Sequence, residues 1–150
     1  MPIAIPQPQT MVSAETFGQP VANELNRINL TENISFVPVV SNDATVVATT
    51  AMYSVAWRVG NFCHYEGQCS ITGTGVVGAI MISLPYPIRK TGNGMVGNFY
   101  MYDNSAGSNT LSYMVAHNNG KVTPLQTTGY LNTALGPNDF LTWNLNYMIQ

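Results

Sequence analysis

From residue 34 to residue 150, short segments of strand-like composition alternate with turn residues. Ile34–Val40 and Thr45–Thr50, for example, are rich in the β-branched residues that favour strands, and Ala51–Val59 alternates between two faces. Clusters of Gly, Asn, Asp or Pro separate the segments, and Asn119-Gly120 has the sequence of a type I′ hairpin turn. About eight or nine short strands at regular spacing are typical of a sandwich or jelly roll. The sequence therefore predicts an all-β fold, an antiparallel jelly-roll-like β-sandwich, over residues 34–150.

Residues 1–33 have a different pattern and are predicted to form a separate N-terminal segment. Three prolines in the first eight residues favour an extended arm. Pro20 then suits the first turn of a short helix, whose apolar stripe is Val21, Leu25 and Ile28. A helix of about ten residues is too short to be stable alone. The stripe must therefore dock on its own domain, on a sister helix or on a larger assembly, and we expect it to anchor the chain to a partner.

The charge content argues against several classes of function. Charged residues make up 8% of the chain, against about 25% in an average domain. Five Lys and Arg residues with a net charge of −2 cannot build the basic surface that nucleic-acid binding requires. No apolar run approaches the roughly 20 residues that span a bilayer, and no secretory signal begins the sequence. We expect no nucleic-acid partner, no membrane insertion and an oligomeric, uncharged surface.

The sequence also offers little material for catalysis or for metal binding. His64 and His117 lie outside any nucleophile motif. Glu66 is the one carboxylate without an obvious turn or leader position, whereas a glycosidase needs two opposed carboxylates. We therefore predict a non-enzymatic protein with no catalytic, cofactor-binding or metal-binding residues and no cofactor.

The two cysteines are predicted to remain free thiols. Cys63 and Cys69 lie six positions apart in one predicted strand, which separates them by about 20 Å. A disulfide needs Cα atoms within about 7 Å. Both side chains are therefore expected to fill the core.

Several loops combine tyrosine with Asn or Asp, as sugar-binding sites do. The opposing interpretation is that Asn and Asp simply make turns and that strand aromatics fill a core or a subunit interface. The candidate glycan contacts are Tyr102, Asp103, Asn104, Asn118, Asn119 and Tyr130, and the strand aromatics assigned to core or interface are Trp57, Tyr100, Tyr102 and Trp143.

A set of short motifs resembles a β-sandwich domain found in many bacteriophage virion proteins, notably tail-fibre and tail-tip modules. These motifs are Val59-Gly60-Asn61 after an aromatic strand, then Glu66-Gly67, then Ser83-Leu84-Pro85, and the closing Trp143–Tyr147. The segment Gly18–Asn26 is similar to the leader helix before such modules. The resemblance covers roughly residues 10–150.

The resemblance implies a homotrimer without catalysis that sits on the virion exterior. Such modules bind host surface glycans or decorate the particle, so we expect a tail-associated fibre or receptor-binding module made in the host cytoplasm. The alternative is a capsid decoration protein of the head-fibre or cement type, anchored by its N-terminal arm. A free cellular lectin-like domain is a third possibility. In either virion role, residues 1–33 would contact other virion proteins through Val21, Leu25 and Ile28.

Overall fold

The computed structural model describes residues 31–89, 94–117, 121–127 and 129–150. Within these residues every regular element is a strand. The predicted helix, with its stripe Val21, Leu25 and Ile28, and the hairpin residues Asn118 and Asn119 lie outside the described residues. The strands are β1 (Thr31–Ser35), β2 (Val40–Asn42), β3 (Thr45–Val47), β4 (Thr49–Val59), β5 (Phe62–Ile71), β6 (Gly78–Ser83), β7 (Met95–Asp103), β8 (Ser108–Ala116), β9 (Lys121–Gln126), β10 (Gly129–Tyr130), β11 (Asn132–Thr133) and β12 (Phe140–Met148).

The strands form one antiparallel sheet that curls into a half-barrel. Its order is β1-β4-β5-β12-β7-β8-β9-β6-β2-β3, with β10 beside β9 and β11 beside β6. The predicted all-β antiparallel architecture is confirmed. The curl gives the sheet a concave inner face, which holds the core, and a convex outer face.

Strict alternation of buried and accessible positions in β5 and β12 builds the centre of the core. Cys63 and Tyr65 of β5 face inward beside Tyr147 and Leu145 of β12, their ladder partners. Trp143 is also buried. Because side chains alternate between faces with a period of two, the residues between these positions lie on the outer face.

The sequence predicts either a bulge or a close approach at Gly67, and the structure shows a close approach. A β-carbon here would contact Cζ2 of Trp143 and lie 2.8 Å from its Cε2. The absence of a side chain therefore makes room for the indole ring in the core. The irregularity in the ladder falls on the neighbouring strand, between Ala51 and Tyr53 of β4.

Some strand boundaries differ from the prediction for identifiable reasons. Ile34–Val40 is not one strand, because β1 ends at Ser35 and β2 begins at Val40. Pro38 lies in the break, and proline cannot donate to a ladder. The predicted boundary between residues 50 and 51 is also wrong. The chain breaks at Ala48, whose carbonyl accepts hydrogen bonds from the backbone of the loop after β5.

Two buried polar side chains fix the loops at one end of the sheet. The Asn42 amide donates to the carbonyl oxygens of Gly78 and Thr133 and accepts from the N–H of Leu135. Asp139 accepts hydrogen bonds from the N–H groups of Asn104 and Gly136. These side chains replace the backbone pairing that the irregular segments lack.

The cysteine prediction is confirmed. Cys63 and Cys69 are free, fully buried and directed into the core from the same face of β5. Burial raises the pKa of the Cys69 thiol to about 12 and also raises the pKa of Cys63. Burial likewise raises the pKa of Tyr65 and of Tyr147. All four groups are thus held in their neutral forms.

We expect the protein to lose stability at alkaline pH. In the unfolded chain the Cys69 thiol ionises near its ordinary pKa of 9.0, whereas in the fold it ionises at about 12. Its contribution is complete below pH 9 and is lost as pH rises towards 12, at about 1.4 kcal/mol per pH unit. Urea unfolding at pH 7.5 and pH 10.5 should show a fall of about 2 kcal/mol from this thiol alone.

The matched variant for this test is Cys69→Ala. It should show a smaller difference between the two pH values than the natural protein, whatever its stability at pH 7.5. An unfolding free energy that is equal at pH 7.5 and pH 10.5 in the natural protein would contradict the assignment.

Candidate functional site

The predicted glycan contacts at the β7–β8 turn are largely engaged in building that turn. Asp103 accepts hydrogen bonds at Oδ1 from the Ser105 hydroxyl (2.7 Å) and the Ala106 N–H (2.9 Å). These bonds lower its pKa. The backbone N–H of Asn104 is bound by Asp139. Tyr102 and Asn104 are exposed, so the Tyr102 ring and the Asn104 side chain are the parts of this group that are open to a ligand.

Tyr130 belongs to a second group at a distance from the first. It lies on β10 with its ring centroid 5.4 Å from that of His117. Successive ladder partners connect Tyr130 on β10 through β9 and β8 to Asn98 on β7, three strand spacings away. Tyr102 lies four residues further along β7. These offsets correspond to about 19 Å, so Tyr102 and Tyr130 are too far apart to contact one small ligand.

An apolar groove opens on the sheet where β8 and β9 separate. Residues Tyr113–Ala116 of β8 pair with Val122–Leu125 of β9. The part of β8 before Tyr113 is not paired with β9. The groove beside this part has a volume of about 760 Å³. Two exposed apolar side chains line it: Leu111, which is 79% exposed, and Tyr113, which is 59% exposed. Adjacent exposed apolar side chains form a patch, and such a patch is a candidate surface for contact with another molecule.

A polar cluster with an aromatic ring occupies the outer face of β4, β5 and β12. The Trp57 and His64 ring centroids are 5.1 Å apart. Nδ1 of His64 lies 2.8 Å from Oδ1 of Asn146, and its Nε2 lies 3.5 Å from Oε2 of Glu66. The Asn144 amide donates to the same carboxylate oxygen at 3.4 Å. The cluster presents a flat ring beside several hydrogen-bonding groups.

Sequence reasoning considered His64, Glu66 and Trp57 separately and missed this cluster. Residues two positions apart in a strand lie on the same face, so the sequence alone places His64 with Glu66 and Asn144 with Asn146. The pairing of β5 with β12 brings the two pairs together, and 78 residues separate Glu66 from Asn144. Of the assigned core aromatics, Trp143 is buried, whereas Trp57 and Tyr100 are half-buried on the outer face and Tyr102 is exposed.

Two further features of the described part of the chain bear on function. No group of three or more His, Cys, Asp or Glu side chains among these residues could hold a metal ion. In the same residues, no helix has the length and apolar character needed to cross a membrane.

Comparison of the chain with known protein families, with curated proteins and with solved structures found no match.

Proposed function

We propose that the protein is a non-enzymatic structural module on the exterior of a bacteriophage particle, of the tail-associated fibre or receptor-binding type. The motif resemblance supports this, and so does the antiparallel all-β architecture. The jelly-roll-like sandwich is the finer arrangement that the resemblance implies for the curled sheet. Val59-Gly60-Asn61 forms the turn between β4 and β5, Ser83 ends β6, and Trp143–Tyr147 lies within the last strand.

The observation that carries the proposal is the exposed apolar groove between β8 and β9. The chain has 8% charged residues, so it has little electrostatic repulsion to keep copies apart. Leu111 and Tyr113 lie next to each other on one face of β8. Leu125 is the ladder partner of both Tyr113 and Tyr130, so the exposed Tyr130 extends the apolar patch to β10. Burial of such a patch against identical neighbours would stabilise a symmetric oligomer. We assign it as the contact between subunits of a homotrimer.

The groove gives a direct mutational prediction. Leu111→Asp introduces a charge that is solvated in the free subunit and would be buried in the assembly, so it should reduce the oligomer to a smaller species. Met52→Asp is the matched control, because Met52 is a similarly exposed apolar residue (63%) on β4. Light scattering coupled to size exclusion measures both. Equal masses for the two variants would remove the groove from the interface.

The same surface also fits the second candidate function, a capsid decoration protein. Both roles use an exterior module that is attached to the particle through its N-terminal residues 1–33. Two experiments separate the roles. A specific signal on a glycan array would favour receptor binding, whereas co-purification with capsids that lack tails would favour decoration. Absence from both tails and capsids of purified particles would contradict a virion role altogether.

If a glycan is bound, the outer cluster around Trp57 is the best-equipped place in the described residues. It combines a ring face with the His64, Glu66 and Asn146 polar groups, as carbohydrate stacking and hydrogen bonding require. The Tyr102 and Tyr130 groups each offer one open ring.

A further inference from the structure

The first half of β8 has a neighbouring strand on one side only, among the described residues. β8 pairs with β7 from Ser108 to Val115. On its other side only Tyr113–Ala116 pairs with β9, and no backbone hydrogen bond from another described segment reaches Ser108–Ser112. Alternate residues of a strand direct their N–H and C=O groups to the same side. The edge at Ser108–Ser112 therefore presents backbone donors and acceptors that no described strand uses.

The apolar groove lies at this free edge. Leu111 and Tyr113 line the groove from the outer face of the sheet, whereas Phe99 and Ser112 line it from the inner face. Because successive side chains of a strand point to opposite faces, a space that contacts both sets lies beside β8 and not only above one face. The groove therefore occupies the position of a strand that would pair with Ser108–Ser112.

The free edge carries none of the features that prevent edge-to-edge pairing. Native proteins protect edge strands with charged side chains, with proline, with bulges or by making the strand very short. Ser108–Ser112 spans about 17 Å and has no charged residue and no proline, and its ladder with β7 is regular. Such an edge is suited to strand addition, in which main-chain hydrogen bonds to an incoming strand supply the affinity.

The homotrimer proposed above, on which this step depends, restricts which surface can pair with the edge. An edge that pairs with its own copy across a two-fold axis makes a dimer, whereas a trimer needs a heterologous contact between two different surfaces. The two end strands of the sheet are β1 and β3. β1 carries Glu32, which lies 4.0 Å from Arg58 and accepts a hydrogen bond from Tyr86, and a charge on an end strand opposes further pairing.

β3 is the end strand without a charged residue. It pairs with β2, and no described strand pairs with its other side. Val46 at its centre is 67% exposed and lies on the outer face, because its neighbour Val47 is in the core. Leu111 lies on the same face of β8. β3 is three residues long, so its ladder with another strand would be short and the apolar groove would supply the rest of the contact.

We propose that β3 of one subunit pairs with the free edge of β8 in the next subunit, so that the sheet continues from subunit to subunit around the trimer. Val46 of one copy and Leu111 of the next then lie near each other on the outer faces and are shielded from water. The contact joins two different surfaces, so three copies can close it into a ring in which every free β8 edge is paired.

Val46→Lys tests the role of β3. It places a charge at the centre of the strand, as natural edges do to prevent pairing, and should convert the trimer to a monomer. Val37→Lys is the matched control, because Val37 is 76% exposed and lies between β1 and β2, outside the strands. It should keep the mass of the natural protein. Light scattering with size exclusion measures both variants, and equal masses would overturn the role of β3.

Amide hydrogen exchange shows whether the strands pair or only pack. Alternate amides of Ser108–Ser112 should exchange at least about tenfold more slowly in the natural protein than in Val46→Lys, because they donate to the neighbouring subunit. Within one subunit β3 and β8 are four strand spacings apart along the sheet, about 19 Å, so the substitution does not reach these amides through its own chain. Equal exchange in the natural trimer and in a monomeric Val46→Lys would contradict strand pairing and leave the trimer itself intact.

The mass of the natural protein separates the remaining outcomes. A dimer with slowly exchanging β8 amides would indicate that β8 pairs with its own copy, which overturns the assignment of β3. A monomer with rapidly exchanging β8 amides would contradict both the strand pairing and the homotrimer. A monomer in which these amides exchange slowly would show that the edge is covered within one chain, and this result also overturns the proposal.

Discussion

Gly97→Ala should reduce the free energy of unfolding by about 3 kcal/mol or more, at the upper end of what overpacking a core costs. Gly97 lies in β7 opposite Leu145 of the central strand β12. A β-carbon there would contact the carbonyl oxygen of Asn144 and lie 2.8 Å from Cα of Leu145. These are backbone atoms of a strand paired on both sides, so no rotamer change can relieve the clash. Relief requires β7 and β12 to separate, which would expose Phe99.

Gly94 provides the matched control three residues away. A β-carbon at Gly94 meets nothing within 4 Å, so Gly94→Ala should change the unfolding free energy by less than about 0.5 kcal/mol. Urea unfolding followed by tryptophan fluorescence measures both variants, and the buried Trp143 reports on the affected region. A Gly97→Ala protein within 1 kcal/mol of the natural one would show that β7 does not pack against β12 at this position.

Asn42→Ala should cost about 3 kcal/mol, because it removes three hydrogen bonds to backbone groups, of which two are buried and one is half-buried. The groups are the carbonyls of Gly78 and Thr133 and the N–H of Leu135. Asn42 itself is fully buried. Leaving a buried donor or acceptor unpaired costs about 1–3 kcal/mol for each group, and entry of water reduces the sum.

Asn42→Asp separates the hydrogen bonds from the volume of the side chain. Aspartate has nearly the same shape but replaces the donating amide with an oxygen that faces two carbonyls, so it should destabilise the protein at least as much as alanine does. Asn61→Ala, at an exposed turn position, is the control and should be nearly neutral. Full stability of Asn42→Asp in urea unfolding would mean that the amide does not bridge the three segments.

The strands were predictable where local chemistry decides them. Apolar and polar residues alternate from Leu141 to Tyr147 in β12 and over most of β5, and this alternation predicted both strands. A glycine inside a strand pattern indicates a bulge or a close approach, so the sequence marked Gly67 as a special position without deciding between the two. The strand boundaries were predicted wrongly around Pro38 and Ala48. At each position one strand-like segment of the sequence is divided between two strands, and the two strands pair with different neighbours.

The surface was less predictable, because it depends on pairing between distant segments. Trp57 reads as a core residue in isolation, yet the inward positions of β4 belong to Ser54 and Ala56. The groove beside Leu111 exists because β8 pairs with β9 only from Tyr113 onwards. No residue in the sequence indicates where this pairing begins. Asn42 reads as an ordinary turn residue, although it joins three segments whose proximity only the fold creates.

The proposed function requires that the protein assembles through an exposed apolar face into a homotrimer. The most direct test is the solution mass of the purified full chain, measured by light scattering with size exclusion. We expect about three times the chain mass of 16.3 kDa. A stable monomer at concentrations well above micromolar would contradict the assignment of the β8–β9 groove as a subunit interface and remove the main support for the virion-module proposal.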